Sequence, residues 1–389
     1  MNKDKTADVI IVGAGLCGLV ASKILLDAGL NVLVLERGNK PGEKCSIGTV
    51  VYSHHLEGIF SKFWENKNNR IVNSRKAYIL QDDNFTAFDW NETSEDSSTF
   101  FASFNKTVNS ILTSEVQSSG GNILFGETAR ELIVQNGTVT GIKTDKNEYQ
   151  SNIVVIAEGA SAILSKLSGL RKGELTSEQS FLFFEEKIDL PIKEINKRFN
   201  IKEHEGCLIK LFVSLRDIKG TGFVTVNKDS VVLSIGARLS DLIKSNVNIT
   251  EYFNMLKTHP SINPLINNGT VSNFSSFMLP SVNHDVNNVS LPTLYGNGYM
   301  VIGGATTLVD PFSFNVASLP IKTSKLAAGV IINSMKENNF SSKILSRYLH
   351  ALKEDPSFNN FINTKNKSKE YSLYLTGSME EENVEARHD

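Results

Sequence analysis

Cysteine is scarce: Cys17, Cys45 and Cys207 are the only three in 389 residues, and they lie far apart. With no CxxC pair, a disulfide framework and a zinc site are both disfavoured. A four-iron cluster, which takes four thiolates, is beyond what this chain can supply by itself. Charge of one sign is lacking too. The formal net charge is -2 and no basic stripe stands out, so a nucleic-acid partner has no electrostatic footprint here. Met1 to Asp8 is polar with both charge signs, unlike a secretory signal. The most apolar stretch, Val9 to Leu26, is interrupted by Gly13, Gly15, Gly18 and Lys23, which suits a strand, a turn and a helix better than a membrane span. These absences predict a cytoplasmic chain with at most peripheral membrane contact and no resident metal. Internal repeats are missing as well. With 40% hydrophobic and 21% charged residues, the composition is that of an ordered protein of two or three domains.

What is present begins at Val9. Val9-Ile10-Ile11-Val12 is a short, wholly apolar run ending in glycine, which predicts a strand buried on both faces. Leu16 to Ala28 has helical composition, with Leu16, Leu19, Val20 and Ile24 on one face and Gly29 placed as its C-cap. Asn31 to Leu35 predicts a second buried strand. Gly13-Ala14-Gly15-x-x-Gly18 falls between the first strand and the helix. Gly13 permits the tight turn, Gly15 lets the backbone approach a pyrophosphate, and Gly18 lets helix and strand pack closely, while the helix N-terminus faces the phosphate charge. Glu36 closes the second strand about twenty residues beyond Gly18, where the ribose ligand of a dinucleotide is expected. The bland alternative is a glycine-rich structural turn with a surface glutamate. Strand, helix, second strand and acid all weigh against it.

Farther on, a helix is predicted around Leu56 to Trp64, an exposed acidic loop over Asn91 to Thr99, and a helix from Lys106 to Ser118. Asn122 to Phe125, Ala129 to Gln135 and Val139 to Lys143 read as strands, the last two joined by an Asn136-Gly137 hairpin step. Ile153 to Ala157 is another buried strand and leads into Glu158-Gly159. From residue 171 the character changes. Cys207 to Leu215, Gly222 to Asn227 and Ser230 to Ile235 alternate with charged turns, predicting an antiparallel sheet in a second domain. Tyr299 to Ile302 returns to the buried-strand pattern and ends in Gly303-Gly304. Ser318 to Met335 reads as a helix with Ser318 as N-cap and Pro320 in its first turn. The last fifty residues read as two helices and an acidic, frayed tail.

The segment Glu36-Arg37-Gly38, followed by Pro41-Gly42-Glu43-Lys44-Cys45, resembles the flavoprotein fingerprint ending of the glutathione-reductase superfamily, and Glu158-Gly159 resembles its second, acidic-glycine motif. This resemblance implies FAD rather than NAD. It narrows at Pro41 to Trp64, Arg198-Phe199-Asn200 to Gly206, Gly222-Phe223 through Gly236, His259-Pro260-Ser261 to Ile266, and Leu294-Tyr295-Gly296-Asn297-Gly298-Tyr299. All are similar to the FixC proteins, the flavoprotein branch of the electron-transfer-flavoprotein:quinone oxidoreductases. The likeness runs to about residue 365. Lys44-Cys45 is closer to the related geranylgeranyl reductases.

The resemblance implies an α/β fold: a discontinuous, Rossmann-like FAD-binding domain of glutathione-reductase type with an inserted α+β antiparallel-sheet substrate domain. The FAD-binding parts are expected at 1–80, 101–170 and 293–335, an excursion at 81–100, the substrate domain at 171–292, and C-terminal helices with the tail at 336–389. Gly13, Ala14, Gly15, Gly18, Glu36, Arg37, Lys44, Glu158, Gly159, Gly303 and Gly304 are the implied cofactor-binding positions. Electrons would arrive from an electron-transfer flavoprotein and leave to quinone or, through a ferredoxin-like subunit that holds the iron–sulfur cluster, to another acceptor.

The chain departs from the family pattern in three places. The family's Gly-Asp-Ala, whose aspartate bonds the ribityl chain, is here Gly303-Gly304-Ala305. Its Gly-Ser-Asn beside the pyrimidine end of the flavin is Val316-Ala317-Ser318, and an arginine before the helix at Lys106 is Ser103. One lost charge-assisted hydrogen bond costs roughly 1.5–3 kcal/mol. Two further readings therefore stand beside the FixC-like one. The first is a geranylgeranyl-reductase-like enzyme acting on prenyl lipids, with Cys45 facing the flavin. The second is a degenerate paralogue that no longer turns over. Cys45 is the one catalytic candidate, against the plainer reading of an inert packed thiol; Cys17 reads as a small core residue. His54-His55 point in different directions on any regular element and stay unassigned. Asp310-Pro311 is a stand-in candidate for the missing aspartate.

Overall fold

The computed structural model describes residues 5–61, 70–89, 100–171, 175–280, 293–309 and 316–362. Among them the chain builds two sheets, of eight and nine strands. In the first, Thr6–Val12 runs parallel to Glu148–Ile156 on one side and to Val32–Glu36 on the other. Asn122–Phe125 and Tyr299–Val301 extend the parallel set at its two ends. Both faces are covered. Val9, Ile11, Val34 and Val155 enter a core with the helices Leu16–Asp27, Asn105–Ser118 and Ser318–Glu337. Ile10, Val12, Leu33, Leu35 and Val154 enter a second core under the hairpin Ala129–Gln135 and Thr138–Thr144. A strand with no solvent face has no polar phase, which is why the run from Val9 is continuously apolar. The hairpin turns at Asn136 and Gly137, both left-handed at φ 49 and 73, as a type I′ turn requires.

The second sheet places Thr270–Pro280, Ser180–Asp189, Ser230–Arg238, Ile218–Val226 and Glu205–Leu215 side by side and antiparallel. Arg70–Gln81 then joins Glu205–Leu215 in parallel, and Phe100–Phe104 and Gly48–Tyr52 complete the order. The expected antiparallel sheet is thus present, with one parallel seam. Arg70–Gln81 reaches it through a long crossover, and a hairpin reversal is not imposed. The same sheet draws strands from 48–52, 70–81 and 100–104, so the expected limits at 80 and 101 fall inside it. One of its faces carries Ile209, Leu211, Val213, Leu233 and Ile235 against the helices Ile192–Phe199, Leu239–Lys244 and Ile249–Thr258. The other turns toward the first sheet.

Several expected elements are displaced. The helix around Leu56 to Trp64 is present as Ser53–Leu56, with Ser61 the last residue described before 70. Ser318 is the first helical residue rather than the N-cap; Ala317 holds that place, and no side chain caps the end. Two C-terminal helices were expected and three short ones form, Ser342–Leu345, Arg347–Glu354 and Pro356–Ile362. The Asn91 to Thr99 loop, Asp310-Pro311 and the acidic tail lie outside the described residues. Among those described, no helix is long and apolar enough to cross a membrane.

Candidate functional site

Parallel strands that point the same way bring the loops at their carboxyl ends to one edge, where α/β proteins bind nucleotides. Four expected segments meet at that edge: the glycine turn after Thr6–Val12, Glu36 at the end of Val32–Glu36, Ala157 to Ala160 after Glu148–Ile156, and Gly303-Gly304 after Tyr299–Val301. The glycines do different things. A Cβ on Gly13, at φ +109, would stand 2.5 Å from the carbonyl oxygen of Ala157, and one on Gly18 would stand 2.0 Å from the carbonyl oxygen of Gly13. Around Gly15 there is nothing within 4 Å. Gly15 is also the N-cap of Leu16–Asp27, whose first turn carries neither a side-chain cap nor an acid. A bare helix end with open space in front of it is a ready anion site.

Glu36 ties the edge together. Its carboxylate accepts the N–H of Ala14 at 2.9 Å and that of Gly38 at 2.7 Å, joining the glycine turn to the turn after the second strand. Arg37 and Lys44 line the neighbouring cavity. Cys45 does not belong to that lining; the Asn109 amide donates to its sulfur at 3.7 Å. Crowding around the sulfur, and then the Glu36 charge, push its thiol up to about 11. The residue reaches the surface, and the neighbouring carboxylate acts in the same direction as the crowding around the sulfur. The group is a thiol at neutral pH, which suits the inert reading. Cys17 is pushed up to about 12 by burial and packs where Gly303 has no side chain.

Glu158 lines the cavity, yet both its oxygens are engaged by the helix Ile163–Leu167. They accept the N–H groups of Leu164 and Ser165 at 2.7 and 2.8 Å and the Ser165 hydroxyl at 2.7 Å. Its visible work is capping a helix that Ala162, in a left-handed conformation, could not cap. Gly159, at φ +75, is open to space. Gly303 bends at φ +66 and its N–H is held by the Thr323 hydroxyl at 2.8 Å. Gly304 presses on the Gly159-Ala160 backbone, so that a Cβ there would lie 3.0 Å from the Ala160 nitrogen.

A cavity of about 980 Å³ joins this edge to the inner face of the second sheet. That size is at the upper end of ordinary ligand sites. Its far wall is apolar, built by Phe223, Val232 and the parallel-stacked rings of Phe183 and Phe277, 5.2 Å apart. Val316 and Ala317, two of the departures from the family pattern, line it as well; Ser103 is buried in the strand Phe100–Phe104. Sequence reasoning missed Glu185, a buried carboxylate in the same wall. The signal was available, because Glu185 continues the inward phase of Phe181 and Phe183 along one strand, where a charge is out of place. His54 and His55 pack their rings together at 3.9 Å on the short helix. Burial, then the charges of His54, Lys325 and Lys322, lower His55 to about 3, keeping it neutral. Among the described residues no cluster of metal-ligating side chains forms.

The family model for pyridine nucleotide-disulphide oxidoreductases matches residues 7–187. A FixC protein of Azorhizobium caulinodans is 30% identical over 363 residues, covering 90% of this chain and 81% of the relative. The probable electron transfer flavoprotein-quinone oxidoreductase YdiS of Escherichia coli (strain K12) is 28% identical over 360 residues, covering 91% of this chain and 82% of the relative. A geranylgeranyl bacteriochlorophyll reductase-like protein from Thermoplasma acidophilum superposes with a TM-score of 0.72 over 93% of this chain and 87% of the other, at 18% identity, a likeness of fold.

Proposed function

The chain belongs to the FixC family of flavoproteins, and on that premise we propose that it is an oxidoreductase holding FAD along the carboxyl edge of its parallel sheet and passing electrons from an electron-transfer flavoprotein toward a quinone or a ferredoxin-like subunit. The observation that carries the reading is the cavity, which runs from the glycine-turn edge to the inner face of the second sheet. The residues present fit the cofactor: open space at Gly15, a bare helix end, and a carboxylate at Glu36 with lone pairs to spare for ribose hydroxyls. Bound FAD supplies the two-electron and one-electron redox chemistry. The helix Leu16–Asp27 offers its N–H groups to the pyrophosphate, Arg37 and Lys44 offer positive charge beside it, and the Phe183, Phe277 and Phe223 wall keeps water from the far half of the cavity. Outer-sphere electron transfer needs no protein acid or base. The three separated cysteines agree with an iron–sulfur cluster that resides in a separate subunit.

Protein purified without added flavin should carry about one FAD per chain, seen as an absorbance band at about 450 nm. No band at equimolar FAD would overturn the reading in favour of a degenerate paralogue. With flavin present, turnover with an electron-transfer flavoprotein is expected. Turnover with a prenyl lipid alone would favour the reductase-like reading, which the place of Cys45 outside the cavity lining weighs against.

The missing family aspartate gives a second test. Gly304 has an ordinary φ, so its backbone accepts a side chain, provided the Gly159-Ala160 backbone, 3.0 Å away at the Ala160 nitrogen and 3.3 Å at the Gly159 carbonyl carbon, eases by a few tenths of an ångström. Gly304→Asp should therefore slow FAD loss on dilution by about tenfold, the worth of one charge-assisted hydrogen bond. An unchanged off-rate would mean that this turn follows a path of its own.

A further inference from the structure

Ser46–Gly48 leads from the first sheet into the strand Gly48–Tyr52 of the second, one of several such passages, and it is held there from both sides. On the side of the first sheet, Asn105, at the start of the helix Asn105–Ser118, donates its N–H to the Ile47 carbonyl at 2.9 Å and its amide to the Ser46 hydroxyl at 2.7 Å and the Gly48 carbonyl at 3.0 Å. On the other side the Glu185 carboxylate accepts the N–H of Ile47, and the Gly48 N–H and the Ser275 hydroxyl also bond to it. Gly48 lies so close to the sheet that a Cβ would stand 3.1 Å from Val232. Ser46, Gly48 and Glu185 all line the cavity.

We propose that Glu185 is a positioning residue: its carboxyl group latches the Ser46–Gly48 segment, where the strand Gly48–Tyr52 begins, onto the strand Ser180–Asp189 far from it in the strand order, and so sets the width of the cavity that both line. The proposal deepens the reading of that cavity as the redox site and rests on it for its functional meaning.

The latch is sensitive to protonation. Burial raises the Glu185 carboxyl to about 7, against the pull of the Ile47 and Gly48 N–H groups and the Ser275 hydroxyl. The groups that face it from the flanking strands are neutral, Ser234 on one side and Ser275 on the other. Lys187, two residues along its own strand, is paired with Asp189 at 2.5 Å. Lys44 comes from the segment side, and Arg37, Glu158 and Lys166 lie along the cavity wall. When neutral, the carboxyl can accept from Ile47 with one oxygen and donate to the Ser275 hydroxyl with the other. Lifting the segment hydrates the group and returns it toward the ordinary carboxylate range. The latched state thus binds the proton more tightly than the lifted one. By linkage, latching is favoured at low pH and weakens as pH rises through about 7.

Hydrogen exchange of the Ile47 and Gly48 amides, corrected for the intrinsic pH dependence of exchange, reads the latch in the full-length protein. Wild type should lose about tenfold in protection between about pH 6 and pH 8.5. Glu185→Gln, which imitates the neutral acid, should hold its protection flat and exceed wild type at the upper pH. Flat protection in wild type, or a step that survives in Glu185→Gln, would overturn the proposal. The wild-type titration decides even where the variant folds poorly. Exchange can be followed with or without flavin, so an absent FAD band and an absent pH step are separate failures.

Discussion

Gly18→Ala should yield a protein that melts well below wild type and binds no FAD. The added Cβ would fall 2.0 Å from the Gly13 carbonyl oxygen and 3.4 Å from the Ala157 Cβ. Backbone cannot rotate away as a side chain can. Gly13 is itself pinned, since it packs so closely on Ala157 that a Cβ built on it would stand 2.5 Å from the Ala157 carbonyl oxygen. Relief requires the helix Leu16–Asp27 to move off the strand, and that helix buries Leu19, Val20 and Leu25 in the largest core. Overpacking of side chains costs about 1–3 kcal/mol, and a collision with the backbone of Gly13 belongs at or above the top of that range. Against a total stability of about 5–15 kcal/mol this is a large fraction. Gly15→Ala is the matched control. With nothing within 4 Å, its Cβ meets no atom of the protein. It should melt as wild type does yet bind FAD weakly, because the methyl would occupy the space through which the pyrophosphate approaches. Thermal melts and flavin titrations on the pair separate packing from binding. A wild-type melting temperature for Gly18→Ala would show that the close approach of helix and strand is not needed.

How much of this was legible follows from where each constraint acts. The run from Val9 reads as a buried strand because both faces are covered, a condition that leaves its mark on every residue of the strand. Asn136-Gly137 reads as a turn because the two left-handed conformations select those residue types locally. The glycine turn and Glu36 are legible for a similar reason: the positive φ of Gly13, the approach of Gly18 to Gly13 and the bonds of Glu36 to Ala14 and Gly38 all act within forty residues. Partners distant in sequence are another matter. Nothing in Arg70–Gln81 announces that it will pair with Glu205–Leu215, so the second sheet begins earlier in the chain than its local patterns suggest. Glu158 matched an acidic-glycine motif, but its carboxylate is turned to a helix end five residues on, a choice made by the left-handed bend at Ala162. Ser318 had the right chemistry for a cap, and the helix begins one residue too early to use it. Glu185 broke an inward apolar phase, which marks it as unusual without saying that its partners would be N–H groups of a segment far away in the chain.

Glu36→Ala has the second large expected effect, and the structure divides it into two parts. One part is the cofactor: with FAD held as proposed, the ribose hydroxyls would lose their charged acceptor. The other is the fold, because the same carboxylate holds the N–H groups of Ala14 and Gly38. Ala14 is 3% exposed, so its N–H has little access to water once the acid is gone. A buried donor left without a partner costs about 1–3 kcal/mol, and a lost hydrogen bond to a charged group about 1.5–3 kcal/mol. The variant should lose stability even without flavin, and in addition bind FAD about a hundredfold more weakly. Glu36→Gln keeps one oxygen for Ala14 while presenting an N–H₂ group to Gly38, so it should recover part of the stability and little of the affinity. Melting the three proteins with and without FAD separates the parts. If Glu36→Ala melts lower than wild type but binds FAD equally well, the carboxylate is only a tie between two turns, and the sugar is held by another residue. If the apo proteins melt alike while affinity falls, the bonds to Ala14 and Gly38 contribute nothing to folding and the acid serves the ribose alone.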